Sequence, residues 1–140
     1  MIEKNNLHDA VICKETDSVL EVAKILRDTQ TRHLLVVNKN LAPVGVISTV
    51  DINNRVIAEE KDPKSLRASQ VMTKPLDTID INASYQEAYE KMIKKATYSI
   101  PVTEQGKLIG ILDFNLIFKK VTQKKSPGRL ALRAVRTRRL

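Results

Sequence analysis

The sequence predicts an α/β protein made of two tandem copies of one small unit, and three observations carry that reading. The first is a helix-like repeat. TDSVLEVAKIL at 16–26 resembles NASYQEAYEKM at 82–92, with Ser18 matching Ser84 and Glu21 matching Glu87 at an offset of 66. The second is a strand-like repeat. RHLLVVNKNLAPVGVI at 32–47 resembles TYSIPVTEQGKLIGIL at 97–112, with Val37 matching Val102 and Gly45 matching Gly110 at an offset of 65. That change of offset places a one-residue gain or loss between helix and strand. The third is the texture of the apolar runs. LLVV at 34–37 and VGVI at 44–47 do not alternate, as expected of strands covered by helices on both faces.

Each unit opens with a short extended segment, at 10–14 and at 76–80. A polar turn follows, with Asp17-Ser18 or Ala83-Ser84 starting a helix. Val19, Val22, Ala23 and Leu26 recur at helical spacing in the first unit, and Tyr85, Ala88, Tyr89 and Met92 in the second. An apolar strand comes next, at 33–37 and 98–102. A turn rich in Asn, Lys, Gln and Gly leads to a second strand at 44–47 and 108–112. A second helix closes each unit, at 50–60 and 114–122. The domain reading is therefore 1–60 for the first repeat, 61–74 for a linker, 75–123 for the second repeat and 124–140 for a tail.

The composition, 42% hydrophobic with no Trp, fits a soluble globular protein. No apolar run approaches the ~20 residues of a membrane span. The polar start, MIEKNNLHD, lacks an apolar secretory core, so the expected location is the cytoplasm. A single cysteine, Cys13, forms no internal disulfide, and the two histidines stand far apart, so no metal ligand set is expected. Cys13 reads as a small buried side chain. With no nucleophile–base pair, Gly-rich phosphate loop or paired acidic motif, the expectation is a protein that is not an enzyme.

The strand-Gly-strand-S-x-x-D-I pattern at 44–52, the linker DPKSLRASQVMTKP and the stretch YSIPVTEQGKLIGIL together resemble a tandem pair of cystathionine beta-synthase (CBS) domains, the Bateman module. The resemblance covers residues 1–123 and omits the tail. It implies two repeats packed through their sheets about a pseudo-twofold axis, leaving two clefts. It also implies AMP, ADP, ATP or S-adenosylmethionine as a ligand rather than a required cofactor. Family members often pair face to face into a disc, which makes a homodimer a candidate state.

The family's ligand pattern has two parts. One is S/T-x-x-D at a strand-to-helix turn, whose Asp grips ribose hydroxyls; the other is a Pro on the preceding strand beside the adenine. Repeat one has Ser48-Thr49-Val50-Asp51 intact, with Val36 in the place of the Pro. Repeat two has Pro101, but Leu116 stands where the ribose-binding Asp would be and cannot accept a hydrogen bond. One tight nucleotide per chain at most follows. The resemblance puts Ser48, Thr49 and Asp51 at the ligand, with His33 near the adenine and Arg32 and Arg55 as phosphate partners. Each has a structural alternative. Ser48 and Asp51 can form a capping box, His33 can be a structural histidine, and the arginines can be solvated surface side chains. Asp113, aligned with Ser48, suits a helix cap.

Charge distinguishes the tail from the body. Of the net +8, residues 1–123 carry +1, from 17 Lys/Arg against 16 Asp/Glu. Residues 124–140 carry +7 and no acid: Lys124, Lys125, Arg129, Arg133, Arg136, Arg138 and Arg139. Ser126-Pro127-Gly128 separates this segment from the helix before it. A solubilising end, a membrane-surface helix and a nucleic-acid arm all match the pattern. Five of the seven cations are Arg, whose planar fork suits phosphates and stacks on bases. No Trp or Phe is present in the tail to anchor it in a bilayer. The expected partner is thus RNA, such as a ribosomal subunit, and no membrane, with nucleotide binding tuning the attachment. A stand-alone nucleotide sensor acting on a protein partner is the alternative.

Overall fold

The structure, a computed structural model, describes residues 1–123. The first repeat contains β1 (Ile12–Lys14), α1 (Val19–Thr29), β2 (His33–Val37), β3 (Pro43–Ser48) and α2 (Thr49–Ile52). The linker carries α3 (Ala68–Val71). The second repeat contains β4 (Ile79–Asp80), α4 (Tyr85–Lys95), β5 (Ser99–Glu104), β6 (Lys107–Asp113) and α5 (Phe114–Gln123). The helix expected over 50–60 is shorter and changes type. After α2 the chain runs as a π-helical turn over Asn53–Ile57, with Ala58 N–H donating to the Asn53 carbonyl at 2.8 Å. Two adjacent asparagines, poor helix formers, sit where the helix changes.

The long helices form as the spacing predicts. Ser18 and Ser84 cap α1 and α4, each hydroxyl accepting a backbone N–H three residues on, at 3.1 Å. Gln30 and Ala96 end them in the left-handed region, with φ 55° and 53°. Val19, Val22 and Leu26 bury one face of α1, and Tyr85, Ala88 and Met92 bury one face of α4.

Each repeat has a three-stranded sheet, in the orders β1-β2-β3 and β4-β5-β6. The first pair of strands is parallel and the second antiparallel in both. The ladders relocate the one-residue difference between the repeats. Val36 pairs with Gly45, and Val102 with Gly110. Val36 therefore corresponds to Val102 at an offset of 66, and the offset changes only in the hairpin. Between the paired residues Val37 and Pro43 lie five residues, and between their counterparts Thr103 and Leu108 lie four. Leu35, which pairs with Val46 as Pro101 pairs with Ile111, is thus the true counterpart of Pro101. The assignment of that place to Val36 is corrected.

The expectation of helices on both sheet faces is also corrected. Leu34, Val36 and Ile47 pack with Val19, Val22 and Val56 in one core, beneath the helices of repeat one. The second core gathers Ile100, Val102 and Leu112 with Tyr85, Ala88, Met92 and Ile117. Leu35 and Pro101 lie on the opposite faces and turn to a cavity that both repeats line. The strands are buried on both sides because the other repeat takes the place of a second helical layer.

The repeats also exchange segments. Ile2 and Leu7, from the N-terminal stretch, pack in the core of repeat two. His8 bridges to Ile111 on the edge of β6. The Tyr85 hydroxyl accepts from Glu3 N–H at 3.1 Å and from Asn6 Nδ2 at 2.9 Å. In the same way Leu66, Ala68, Val71 and Met72 of the linker pack in the core of repeat one, and Thr73 bridges to Val46.

Candidate functional site

The start of α2 brings four of the expected ligand residues together. Ser48 Oγ accepts from Asp51 N–H at 3.1 Å, and Ser48 N–H donates to Asp51 Oδ2 at 2.9 Å. This is a complete capping box, with Asp in the place usually held by Glu or Gln. Thr73 Oγ1 also reaches Asp51 Oδ2, at 3.4 Å. Arg55 Nη2 lies 3.6 Å from Asp51 Oδ1, while Arg55 Nη1 donates to the Val71 carbonyl at 2.7 Å. The Asp51 side chain is only 16% exposed. Its carboxylate thus ties the helix start to the linker. Thr49 N–H donates to the Arg32 carbonyl at 2.9 Å, and the Arg32 side chain is exposed. His33 is exposed and pairs across the ladder with Ser48.

The large cavity of the molecule lies between the repeats and has a volume of about 670 Å³. His33 lines it, whereas Ser48, Thr49, Asp51, Arg32 and Arg55 are not among its lining residues. Its walls include Leu35 and Val46 from one sheet and Ile100, Pro101 and Ile111 from the other. Its polar rim belongs mostly to residues that the motif reading passes over, His8, Asp77, Lys91, Lys95 and Tyr98, together with Asp113, which that reading gives only a capping role. Lys91 Nζ donates to the Thr78 carbonyl at 2.6 Å, and Lys95 Nζ lies 3.8 Å from Asp77. Their i,i+4 spacing on α4 is a signal that sequence alone contains. Their approach to the segment at 75–78 is not. Tyr98 is 85% exposed at the mouth.

Asp113, the residue before α5, also makes a contact across the repeats. Its Oδ2 meets His8 Nε2 at 2.7 Å, with both side chains about half exposed. Leu116 packs against the second core, so its apolar character serves the fold. Cys13 is buried, and burial, followed by the nearby Asp17 carboxylate, pushes its thiol up to about 12. Such a thiol is not a nucleophile at neutral pH. Among the described residues no group of three or more His, Cys, Asp and Glu is placed to hold a metal ion. No helix among them is long and apolar enough to cross a membrane. The seven tail cations, Lys124, Lys125, Arg129, Arg133, Arg136, Arg138 and Arg139, lie outside the described residues.

Comparison with known proteins accords with this architecture. The CBS domain family matches twice, at residues 6–58 and 68–121. An uncharacterized protein of Methanopyrus kandleri is 28% identical over 105 residues, covering 74% of this chain and 54% of its own. The CBS domain-containing protein CBSCBSPB1 of Arabidopsis thaliana is 28% identical over 112 residues, covering 80% of this chain and 21% of its own. The chain therefore spans about half of one relative and about a fifth of the other. Among solved structures, OpuCA of Staphylococcus aureus superposes with a TM-score of 0.70 at 18% identity, covering 86% of this chain and 98% of that one.

Proposed function

The chain belongs to the CBS-domain family as a tandem pair, a regulatory module, and from that premise we propose that it senses an adenosine nucleotide in the cavity between its repeats. The observation that carries the reading is the cavity itself. Its volume of about 670 Å³ falls in the range of ~300–1,000 Å³ typical of small-ligand sites. Leu35, Ile100, Pro101 and Ile111 offer an apolar slot for a base. Lys91 and Lys95 offer cations for phosphates. AMP, ADP, ATP and S-adenosylmethionine all combine these parts.

The geometry favours Asp113 over Asp51 as the carboxylate that meets ligand hydroxyls. Asp113 lines the cavity and engages one side chain, His8. Asp51 spends its oxygens on Ser48, Thr73 and Arg55. The reading is non-enzymatic, with no required cofactor, and places the protein in the cytoplasm. Calorimetry with each of the four ligands tests it. We expect one site per chain for at least one of them. Asp113→Ala should weaken binding by about 1–3 kcal/mol, the range of hydrogen bonds to a charged group, and Asp51→Ala should weaken it less. Absence of binding by all four, or two equivalent sites per chain, would overturn the proposal.

A second reading rests on a separate observation, the +7 tail on a +1 body. It makes the module an RNA-attached regulator, docked for example on a ribosomal subunit, with the bound nucleotide tuning attachment.

A further inference from the structure

The segments that the repeats exchange occupy equivalent places. His8 and Ile111 trade two backbone hydrogen bonds, each 2.9 Å, and Thr73 and Val46 trade two, of 2.8 and 3.0 Å. Leu7 and Met72, the residues before them, crowd Gly110 and Gly45, each one place back on the facing strand. Thr73 is therefore the counterpart of His8. Both reach the start of the helix that closes the repeat. Thr73 Oγ1 stands 3.4 Å from Asp51 Oδ2, and His8 Nε2 stands 2.7 Å from Asp113 Oδ2. Each incoming segment thus sets one side chain on a carboxylate at the strand-to-helix turn. In repeat one that side chain is a hydroxyl, which keeps its charge state. In repeat two it is an imidazole, the side chain type that changes charge between about pH 5 and 8.

His8 and Asp113 both line the cavity between the repeats. The backbone under His8 is pinned. Ile2 is 2% exposed, Leu7 packs against the second core, and the Tyr85 hydroxyl accepts from Glu3 N–H and Asn6 Nδ2. The imidazole is freer, since the His8 side chain is 64% exposed and that of Asp113 49%. A ring on a pinned backbone, with solvent beside it, turns off Asp113 without unfolding its segment. The other titratable groups lining the cavity are Asp9 on the same segment, His33 on β2, Asp77 before β4, Lys91 and Lys95 on α4, and Tyr98 before β5. Lys95 faces Asp77 and Lys91 the Thr78 carbonyl, so the side chain matched to Asp113 is His8.

Resting on the assignment of the cavity to an adenosine nucleotide, we propose that His8 is a pH-sensitive latch, which competes with ligand hydroxyls for Asp113. The charged imidazole makes a charge-assisted bond to the carboxylate, stronger than a neutral one. Ligand hydroxyls are neutral donors and displace the neutral ring more readily than the charged one. Acid therefore closes the site, and affinity rises with pH through the titration of His8. An imidazole that met the ligand's phosphates instead would give the opposite slope.

The test is calorimetry on the full-length protein with adenosine, AMP, ADP, ATP and S-adenosylmethionine, at pH 6 and pH 8, for wild type and His8→Ala. Comparing the two chains at one pH cancels the titration of the ligand and of His33, which both share. At pH 6 His8→Ala should bind about two- to fivefold more tightly than wild type, the scale of an ion pair this exposed. At pH 8 the two chains should converge. His8→Gln, neutral at both pH values, should also gain at pH 6, and serves if His8→Ala does not fold. If a probe binds and the variant gains nothing at pH 6, or gains equally at both pH values, there is no latch and the nucleotide site stands. If no probe binds either chain, the latch and the site fall together.

Discussion

At the residue scale, two glycines show how little room the exchanged segments leave. A Cβ at Gly110 would stand 2.8 Å from Leu7 Cβ and 3.0 Å from the His8 carbonyl oxygen. A Cβ at Gly45 would stand 2.6 Å from Met72 Sδ and 3.0 Å from the Thr73 carbonyl oxygen. The two sites are alike in distance and unlike in compliance. Met72 can swing its thioether aside, whereas Leu7 Cβ is fixed to a backbone held by two hydrogen bonds between His8 and Ile111, each 2.9 Å. Gly110→Ala should therefore cost about 1–3 kcal/mol, as overpacking does, and Gly45→Ala measurably less. Urea denaturation of both variants checks this, and equal costs would contradict the argument from side-chain compliance. The repeat comparison picks out both glycines. Their reason is not legible there, because the atoms that exclude a Cβ come from segments outside each glycine's own repeat. Asp113 and His8 are hidden for the same cause: nothing in the sequence near either names the other.

At the element scale, the order of strands and helices was readable because the elements carry their own periods and α1, α2 and α4 their own serine caps. Connections were less so. The one-residue difference lies in the β2–β3 hairpin, where polar residues give no pattern to align, and a slip of one residue there moved the counterpart of Pro101 from Leu35 to Val36. Ser48 and Asp51 are a case where two readings share the same atoms. The box at the start of α2 is built, and it supports a helix of only four residues that soon changes type. So short a helix has few other stabilising bonds. Ser48→Ala should cost about 0.5–2 kcal/mol of stability, the usual range for a lost N-cap. Thermal unfolding of Ser48→Ala beside the matched cap variant Ser84→Ala measures it. If Ser48→Ala unfolds with the wild type while Ser84→Ala does not, the box is not holding the helix, and a role for Ser48 at a ligand gains ground.

At the scale of the whole molecule, what divides the chain is charge. The body has a net +1 spread over 123 residues, with many of its lysines already engaged, such as Lys4 with Glu104 and Lys120 with Glu3. Such a surface has little general attraction for a polyanion. The tail concentrates seven cations in 17 residues. If it meets RNA, each phosphate contact releases counterions, and log K falls with log[salt] at about −0.7 per contact on single strands. Five contacts imply a slope of about −3 to −4. Replacing the five tail arginines with glutamine should remove most of that slope and most of the binding. Replacing them with lysine keeps the charge and the slope but loses the bidentate fork, so non-specific attraction should persist while docking at a particular site is lost. Co-sedimentation of the three full-length proteins with ribosomal particles, across a salt series, separates these outcomes. Should the glutamine variant sediment as the wild type does, the tail is not the attachment device. The cavity between the repeats would then remain the functional centre, acting on a protein partner instead.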